Sequence, residues 1–344
     1  MLTTRALNRA TLHRQLLLER SDISALAAVE HLVGMQAQEP FSPYFGLWSR
    51  LRDFKAGELA DLVSSGAVLR SHLYRATIHL VSAADHGRIQ PLVRSMLFRR
   101  LASSPFKSAV TDLDPAELVA AATEVLAEKP RTRRELCDLL GARWPSLDAE
   151  SLGTAVPFLV SLVQLPPRAV WGQSGRAVWG LAPPSSEEPI DLVSRYLAAF
   201  GPATVADIQA WSGLTRLRAV VRDLDLRVLV DDTGRELLDI PDGPLPDPDT
   251  PAPVRFLPEF DNLLLAHRDR TRVISDEDYR RGIIIGGKPT LLVDGFVHGI
   301  WRIGETGLDV EVFRPLTPAQ RDDVLAEGAR LLEFAEADGR VSIT

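Results

Sequence analysis

The sequence is poor in the features that disulfide-stabilised, secreted and membrane proteins need. Its 344 residues include a single cysteine, Cys137, which excludes an internal disulfide and fits a reducing compartment. No apolar run approaches the roughly 18–20 residues of a membrane span, and the start of the chain has no apolar secretion signal. We therefore expect a cytoplasmic protein with no membrane association, in which Cys137 packs in an amphipathic helix.

The sequence also lacks the common motifs of nucleotide, metal and hydrolase sites. It has no Gly-x-x-x-x-Gly-Lys-Ser/Thr loop, no Gly-x-Gly-x-x-Gly fingerprint and no Gly-x-Ser-x-Gly nucleophile turn. Without paired cysteines, a metal site would depend on histidines, but His267 and His298 are 31 residues apart and have no obvious third ligand. We expect neither a nucleotide cofactor nor a bound metal.

Acidic residues outnumber basic ones, which counts against a simple nucleic-acid-binding protein. The formal net charge is −7, whereas contacts to phosphates depend on Lys and Arg. The acidic residues cluster at 185–191 and 231–249, and the basic residues concentrate around 88–107, 131–134 and 255–281. Net charge does not locate charges in space, so a basic face on an acidic protein is compatible with this composition.

Three successive segments share an order of helices followed by a β-hairpin. In the first, residues 4–81, apolar periodicity predicts helices at 6–19 and 23–35, and alternation predicts a strand at 73–81. The polar face of that strand carries Arg75, Thr77 and His79. The three segments resemble each other in the order of their elements but do not form a strict sequence repeat.

The second and third segments, residues 114–181 and 190–240, follow the same order. In the second, Thr132 and Glu135 have the spacing of a helix capping box, and a Gly-containing turn predicts a hairpin at 170–179. In the third, strands at 226–230 and 236–240 flank a turn. Three helices and a two-stranded wing make up a winged helix, which is a variant of helix-turn-helix.

The C-terminal part follows a proline- and aspartate-rich linker. Short strands are predicted at 283–285, 290–293, 296–303 and 308–313, and a closing helix at 318–337. The sequence therefore predicts an α+β fold of three tandem winged-helix units and a β-rich module with a closing helix. The predicted domains are residues 1–112, 113–184, 185–245 and 246–344.

One short segment is unusual for a helix end. Gln36 and Gln38 flank Ala37, after an amphipathic helix and before Pro40. Proline favours extended geometry in the residue before it, and in an extended segment alternate side chains project the same way. Alone, the pair also fits a polar helix end.

Several longer stretches share the order and spacing of one family across nearly the whole chain. The N-terminal stretches are Leu32-Val33-Gly34-Met35-Gln36-Ala37-Gln38-Glu39-Pro40, Tyr44-Phe45-Gly46-Leu47-Trp48-Ser49-Arg50 and Arg75-Ala76-Thr77-Ile78-His79-Leu80-Val81. The C-terminal stretches are Phe256-Leu257-Pro258-Glu259-Phe260-Asp261, His267-Arg268-Asp269-Arg270, Leu292-Val293-Asp294-Gly295 and Gly299-Ile300-Trp301-Arg302. Together they resemble the AlkZ/YcaQ family of winged-helix DNA glycosylases, and Gln36-Ala37-Gln38 resembles the two-glutamine signature of its azinomycin-resistance branch.

The resemblance implies a monofunctional DNA glycosylase that hydrolyses the N-glycosidic bond of N7-alkylated purines, including some interstrand crosslinks. It implies tandem winged helices and a β-rich end arranged as a concave DNA-binding surface, with double-stranded DNA carrying alkylated purines as the partner. Methyl adducts, bulky natural-product adducts and crosslinks all fit this expectation. We expect a monomer acting in DNA repair or in self-resistance to a genotoxin, with an open site because a bulky lesion does not easily enter a closed pocket.

Two neutral amides suit such a reaction. Alkylation at N7 gives the purine a formal positive charge, so the base is already a good leaving group and needs little acid help, unlike the leaving oxygen of an ordinary glycoside. A glutamine amide accepts and donates hydrogen bonds. We therefore expect Gln36 and Gln38 to hold the hydrolytic water jointly, and activity to vary little with pH near neutrality.

Several alternatives remain at this stage. Glu39 is adjacent to the glutamines and is a rival general base, although an extended segment points it away from them. None of the four lysines has a position that suggests a Schiff base. A winged-helix transcription regulator without catalytic activity is the alternative function, and an array of winged helices that binds protein is a third reading.

Basic side chains that could contact DNA lie in four regions, although each also fits a solvated surface. The candidates are Arg94, Arg99, Arg100, Arg133, Arg134, His267, Arg268, Arg270, His298 and Arg302. Spacing puts the first three on different faces of one helix, and Arg133 and Arg134 begin a helix of the second unit. The resemblance favours DNA or lesion contact for the His267–Arg270 loop.

Overall fold

A computed structural model of the chain describes residues 1–186, 188 and 190–344. Its helices are α1 (Thr4–Arg14), α2 (Ala25–His31), α3 (Ser42–Trp48), α4 (Ala56–Ser65), α5 (Ala83–Ala102), α6 (Ser108–Thr111), α7 (Pro115–Glu128), α8 (Arg133–Arg143), α9 (Ala149–Leu159), α10 (Leu192–Phe200), α11 (Val205–Ser212), α12 (Leu217–Arg222), α13 (Asn262–Leu265), α14 (Asp276–Tyr279) and α15 (Pro318–Phe334). In the described part of the chain, no helix has the length and apolar character to cross a membrane.

The strands are short and mostly antiparallel. They are β1 (Met35–Gln36), β2 (Val68–His72), β3 (Ile78–Ser82), β4 (Arg131–Thr132), β5 (Leu162–Gln164), β6 (Val178–Leu181), β7 (Arg227–Val230), β8 (Glu236–Asp239), β9 (Arg255–Leu257), β10 (Thr290–Val293), β11 (Phe296–Gly304), β12 (Gly307–Val312) and β13 (Arg340–Ile343). The predicted α+β class is confirmed. The chain divides into two compact units, the first formed by residues 1–58, 191–211 and 215–344 and the second by 59–190 and 212–214.

In the second unit, five strands are hydrogen-bonded in the order β3-β2-β5-β6-β4. The predicted strand at 73–81 is wrong in its first half, because β2 and β3 form a hairpin that turns at Tyr74–Ala76. Arg75 and Ala76 have positive φ angles of 55° and 60°, a conformation that non-glycine residues rarely adopt. The alternation of apolar and polar residues continues through the turn, so the sequence pattern did not indicate it.

Residues 115–181 of this unit have the order α7, β4, α8, α9, β5, β6, with β4 paired to β6. The predicted capping box is confirmed at α8, where Thr132 and Glu135 bond reciprocally to each other's backbone N–H groups. The hairpin predicted at 170–179 is wrong in its first strand, because β6 pairs with residues 162–164 instead. The connection between its two strands is longer than the Gly-containing turn indicated.

A five-stranded sheet of order β13-β12-β11-β10-β9 forms the C-terminal part of the first unit. Helix α15 packs on it, since a Cβ atom at Gly328 would lie 3.0 Å from both Leu308 and Val341. The Asp294-Gly295 turn joins β10 and β11, which lie where strands were predicted at 290–293 and 296–303. The strand predicted at 283–285 is wrong: these residues form turns, and Ile285 is 84% exposed.

Helix α1 lies in the core of the first unit. Its Leu12 packs with leucines and β-branched residues of the C-terminal part in one buried cluster. Arg14 bonds Asp239 of β8 through two N–O contacts of 2.5 and 2.9 Å, and both side chains are buried. The helix ends at Arg14 rather than at the predicted residue 19, because Leu16 has a φ of 58° and starts a turn.

Candidate functional site

The Gln36-Ala37-Gln38 segment leaves helix α2 through a left-handed turn. Val33 and Gly34 have φ angles of 56° and 90°, so α2 ends at His31 and not at residue 35 as predicted. The chain then becomes extended at Met35–Gln36, which form β1. Gln36 is 8% exposed, whereas Gln38 lies in an exposed bend. The segment therefore has one glutamine inside and the next at the surface.

Helix α3 supports this segment from one side. A Cβ atom at Gly46 would lie only 2.5 Å from Met35 Cε and 3.7 Å from Asp261 Oδ2, so these groups pack against the helix backbone. Ser42 at the start of α3 donates to Glu259 Oε2 at 2.9 Å, and Ser49 after its end donates to the Phe256 carbonyl at 2.5 Å.

A buried ion pair links α3 to the same C-terminal stretch. Arg50 donates to both carboxylate oxygens of Asp261 at 2.8 Å and to the Gly46 carbonyl at 2.9 Å. Asp261 also caps α13 by accepting from the Leu263 N–H at 2.9 Å. Its neighbour Asn262 donates from Nδ2 to the Gly34 carbonyl at 2.7 Å. Residues more than 200 positions apart thus form one polar support directly before Gln36.

Four histidines that are largely removed from water stay neutral near pH 7 and are weak bases. Burial lowers the pKa of His72 and His86 to about 4, and that of His79 and His267 to about 3. Among the described residues there is no group of histidine, cysteine, aspartate and glutamate side chains that could hold a metal ion. Burial also raises the pKa of the Cys137 thiol, so it is a poor nucleophile.

The candidate DNA contacts on helices are exposed. Arg94, Arg99 and Arg100 lie on the surface of α5. At the start of α8, Arg133 forms an ion pair with Glu150, and Arg134 lies 3.8 Å from Asp138 with its side chain 90% exposed. These exposed ion pairs are weak enough to open for a phosphate.

His267 does not fit its predicted role. It is 2% exposed, and Nε2 donates to the Phe200 carbonyl at 3.0 Å. The ring also packs edge-on to Tyr196. A side chain in this position has no surface to offer DNA, so we assign it to packing. The sequence indicated a basic side chain in a loop but gave no sign that His267 is buried.

The neighbours of His267 reach the surface to different degrees. Arg268 is exposed, whereas Arg270 is half-buried, donates to the Leu264 carbonyl at 2.9 Å and lies 5.5 Å from the ring centre of Tyr279. These three residues line a small cavity of about 160 Å³. The positive charge of this loop is therefore accessible at Arg268 and partly accessible at Arg270.

The two candidate residues on β11, His298 and Arg302, also differ in exposure. His298 is buried, with Nε2 donating to the Arg314 carbonyl at 3.1 Å, so it does not extend a surface as predicted. Arg302 is exposed and pairs with Asp309 at 3.1 Å. It lines a cavity of about 690 Å³ together with Trp301.

Comparison with known proteins agrees with this mixed α+β fold. A family model for AlkZ-like DNA glycosylases matches residues 29–334, so the chain belongs to the AlkZ-like family of DNA glycosylases. An interstrand DNA cross-link repair glycosylase of Streptomyces sahachiroi is 25% identical over 368 residues, covering 95% of this chain and 94% of the relative. The solved structure of Streptomyces sahachiroi DNA glycosylase AlkZ has a TM-score of 0.82 at 20% identity over 100% of both chains, which shows the fold. The resemblance to the AlkZ/YcaQ family is confirmed.

Proposed function

We propose that this DNA glycosylase is monofunctional and releases N7-alkylated purines from double-stranded DNA, including bulky adducts or interstrand crosslinks. The family match and the cross-link repair activity named for the Streptomyces sahachiroi relative support this substrate class. The single observation that carries it is the glutamine pair of residues 36–38 in a chain of this family. A role in repair, or in self-resistance to a genotoxin, follows from the substrate. The same match leaves the transcription-regulator alternative without support.

In this proposal Gln36 and Gln38 hold the hydrolytic water. The leaving base loses its positive charge as the bond breaks, so orienting the water and the sugar is the main task. Orientation supplies as much as about 7–11 kcal/mol in the best cases, and two amides fixed on one short segment would supply part of that. The difference in exposure between the two glutamines suits a site at the protein surface, open to a lesion too large for a closed pocket.

The exposed lysines support hydrolysis without an imine. Lys55, Lys107, Lys129 and Lys288 are all exposed. A lysine that forms a Schiff base must lose its proton, which burial in an apolar pocket promotes, and none of these four side chains is buried. We expect no strand nicking and no adduct trapped by borohydride.

We also propose that the three helix–hairpin segments are winged helices, within residues 1–112, 113–184 and 185–245, followed by the β-rich module of residues 246–344. In the second, β4 lies between the first two helices and pairs with the last strand of the hairpin. In the third, Ala203 makes the equivalent bridge to Leu238. In the first, the support is the β2–β3 hairpin after its helices. The concave surface that the family resemblance implies stays a prediction.

Double-stranded DNA is the proposed partner, bound by a monomer without a cofactor. The exposed arginines at 94, 99, 100, 133, 134, 268 and 302 are the proposed phosphate contacts, with Arg270 at the edge of that set. Replacing one such arginine with alanine should lower the salt dependence of DNA binding by roughly one unit in its log–log slope.

A base-release assay tests the proposed function. Duplex DNA carrying N7-methylguanine is incubated with the purified protein, and free base and abasic sites are measured with and without borohydride. We expect free base in equal amount to abasic sites, without strand breaks or a trapped adduct. Binding without release would contradict the proposal and favour a regulator. A borohydride-stable adduct would overturn its monofunctional part alone.

A further inference from the structure

The turn before the glutamine pair is strained. Val33 is β-branched and fully buried, yet it has a φ of 56°, and Gly34 follows at 90°. A β-branched residue in the left-handed region is a true outlier, because its branched Cβ crowds the backbone there. Such a conformation persists only when surrounding contacts hold it, and outliers of this kind concentrate at functional sites.

Two backbone bonds close this turn, from the Val33 N–H to the Glu30 carbonyl at 3.0 Å and from the Gly34 N–H to the Val29 carbonyl at 2.9 Å, and Asn262 adds a side-chain contact that holds its last peptide. Its Nδ2 donates to the Gly34 carbonyl at 2.7 Å, and Asn262 is 6% exposed. The accepting carbonyl belongs to the peptide that joins Gly34 to Met35, one residue before Gln36. Its orientation therefore sets the direction in which β1 begins.

The position of Asn262 is fixed by helix α13 and by the ion pair of its neighbour Asp261. It is the first residue of α13, and Asp261 caps that helix. The bidentate ion pair with Arg50 fixes Asp261, and Arg50 is fixed further by the Gly46 carbonyl and by Gln15 Oε1 at 3.2 Å. The donor thus has little freedom to follow the turn if the turn relaxes.

We propose that Asn262 is a positioning residue for the glycosylase reaction, which fixes the Gly34–Met35 peptide and through it the placement of Gln36. This inference rests on the proposed function of the glutamine pair. A displacement of about 1 Å at a reacting group can cost about 100-fold in rate, and rotation of a peptide one residue away moves Gln36 by that order. The effect belongs to the chemical step and leaves DNA affinity unchanged.

Asn8 offers a matched control in the same unit. It is also a buried asparagine, and its Nδ2 donates to the carbonyls of Arg272 and Gly295 at 2.7 and 2.8 Å. Its bonds hold other turns, and none of them reaches residues 33–38. Loss of either asparagine removes buried hydrogen bonds of similar kind, so Asn8→Ala measures the effect of general destabilisation.

The test compares Asn262→Ala, Asn262→Asp and Asn8→Ala in the full chain, each shown by thermal melting to be folded at the assay temperature. Single-turnover release of N7-methylguanine at saturating protein gives the rate, and fluorescence anisotropy gives the Kd for DNA. For Asn262→Ala we expect a rate about 10- to 100-fold lower at unchanged Kd. Asn8→Ala should melt earlier at an unchanged rate.

The aspartate variant supplies a readout that a merely structural role would not move. An ionised carboxylate cannot donate to the Gly34 carbonyl, whereas a protonated one can. The rate of Asn262→Asp, corrected for spontaneous depurination, should therefore rise as the pH falls from 8 to 5, while the parent stays flat. This pH profile tests the positioning role of Asn262 even if Asn262→Ala does not fold.

Three results would overturn the inference: a folded Asn262→Ala within threefold of the parent, equal losses in the Asn262 and Asn8 variants, or a flat profile for Asn262→Asp. Failure of the proposed function is distinguishable, because Gln36→Ala and Gln38→Ala would then keep the parental rate. If those two lose activity and Asn262→Ala does not, only the positioning role is contradicted.

Discussion

At the scale of single residues, the proposed chemistry depends on groups without charge. Gln36 and Gln38 are neutral at every accessible pH, whereas the adjacent Glu39 is an exposed carboxylate. A general base contributes about 10²–10⁴-fold to a reaction that needs one. An N7-alkylated purine departs without acid help, so water held by two amides suffices in the proposed mechanism.

Glu39→Gln tests this ranking directly, because it removes the carboxylate and keeps its shape. We expect base release to fall by much less than the 10²–10⁴-fold that loss of a general base would cause. The measurement is the single-turnover rate on N7-methylguanine DNA, with Glu19→Gln as an equally conservative change elsewhere in the chain. Loss of activity in Glu39→Gln alone would make Glu39 the principal catalytic group.

The sequence indicated the candidate site by motif but not by its surroundings. Taken alone, Gln36 and Gln38 also fit a polar helix end, and the resemblance to the AlkZ/YcaQ family is what marked them as a site. Asn262 gave no such signal, since no local rule connects it with Gly34 across more than 200 residues. His267 and His298 were placed on the DNA surface because their chemistry is visible in a sequence and their burial is not.

At the scale of elements, capping and turn signals predicted helices well. The capping box at Thr132 begins α8 as expected, and α15 begins at the predicted residue 318. Helix ends were less accurate. Leu16 is left-handed and stops α1 without a glycine or proline to mark the place, and α2 stops before the left-handed pair Val33-Gly34, which the prediction had placed inside the helix. Strands β9 and β13 were missed, as they are short and are defined by partners distant in the sequence.

Close packing between α8 and α9 makes Gly153 a sensitive position. A Cβ atom there would lie 2.4 Å from Cys137 Sγ and 2.6 Å from Cys137 N, and the backbone nitrogen cannot move aside as a side chain could. We expect Gly153→Ala to lower the free energy of unfolding by about 1–3 kcal/mol, measured by urea denaturation.

Gly57→Ala in α4 is the control, because a Cβ atom there meets nothing within 4 Å. Alanine has the higher helix propensity, so this variant should be neutral or more stable by about 0.4–1 kcal/mol. Equal behaviour of the two variants would show that α8 and α9 are not packed as closely as described.

At the scale of the whole molecule, histidines that are neutral in the folded protein make the free energy of unfolding depend on pH. His72, His79 and His86 in the second unit and His267 in the first have pKa values lowered to about 3–4 by burial. In the unfolded chain these histidines titrate near 6.5. The folded protein therefore binds fewer protons than the unfolded chain between these values.

Stability should be full above about pH 6.5 and fall as the pH decreases towards 4. Each such histidine contributes a slope of about 1.4 kcal/mol per pH unit in that window. Melting temperatures between pH 4.5 and 8 measure it. His267→Gln, which keeps a donor for the Phe200 carbonyl but does not titrate, should fall less steeply than the parent. A melting temperature independent of pH would contradict the buried neutral state.

The double variant Gln36→Ala/Gln38→Ala, assayed in single turnover on duplex DNA carrying N7-methylguanine, tests whether the glutamine pair holds the hydrolytic water. Folding is checked by thermal melting and DNA affinity by anisotropy. We expect a folded protein that binds DNA like the parent but releases base no faster than DNA alone. A double variant that binds DNA and releases base at the parental rate would contradict it.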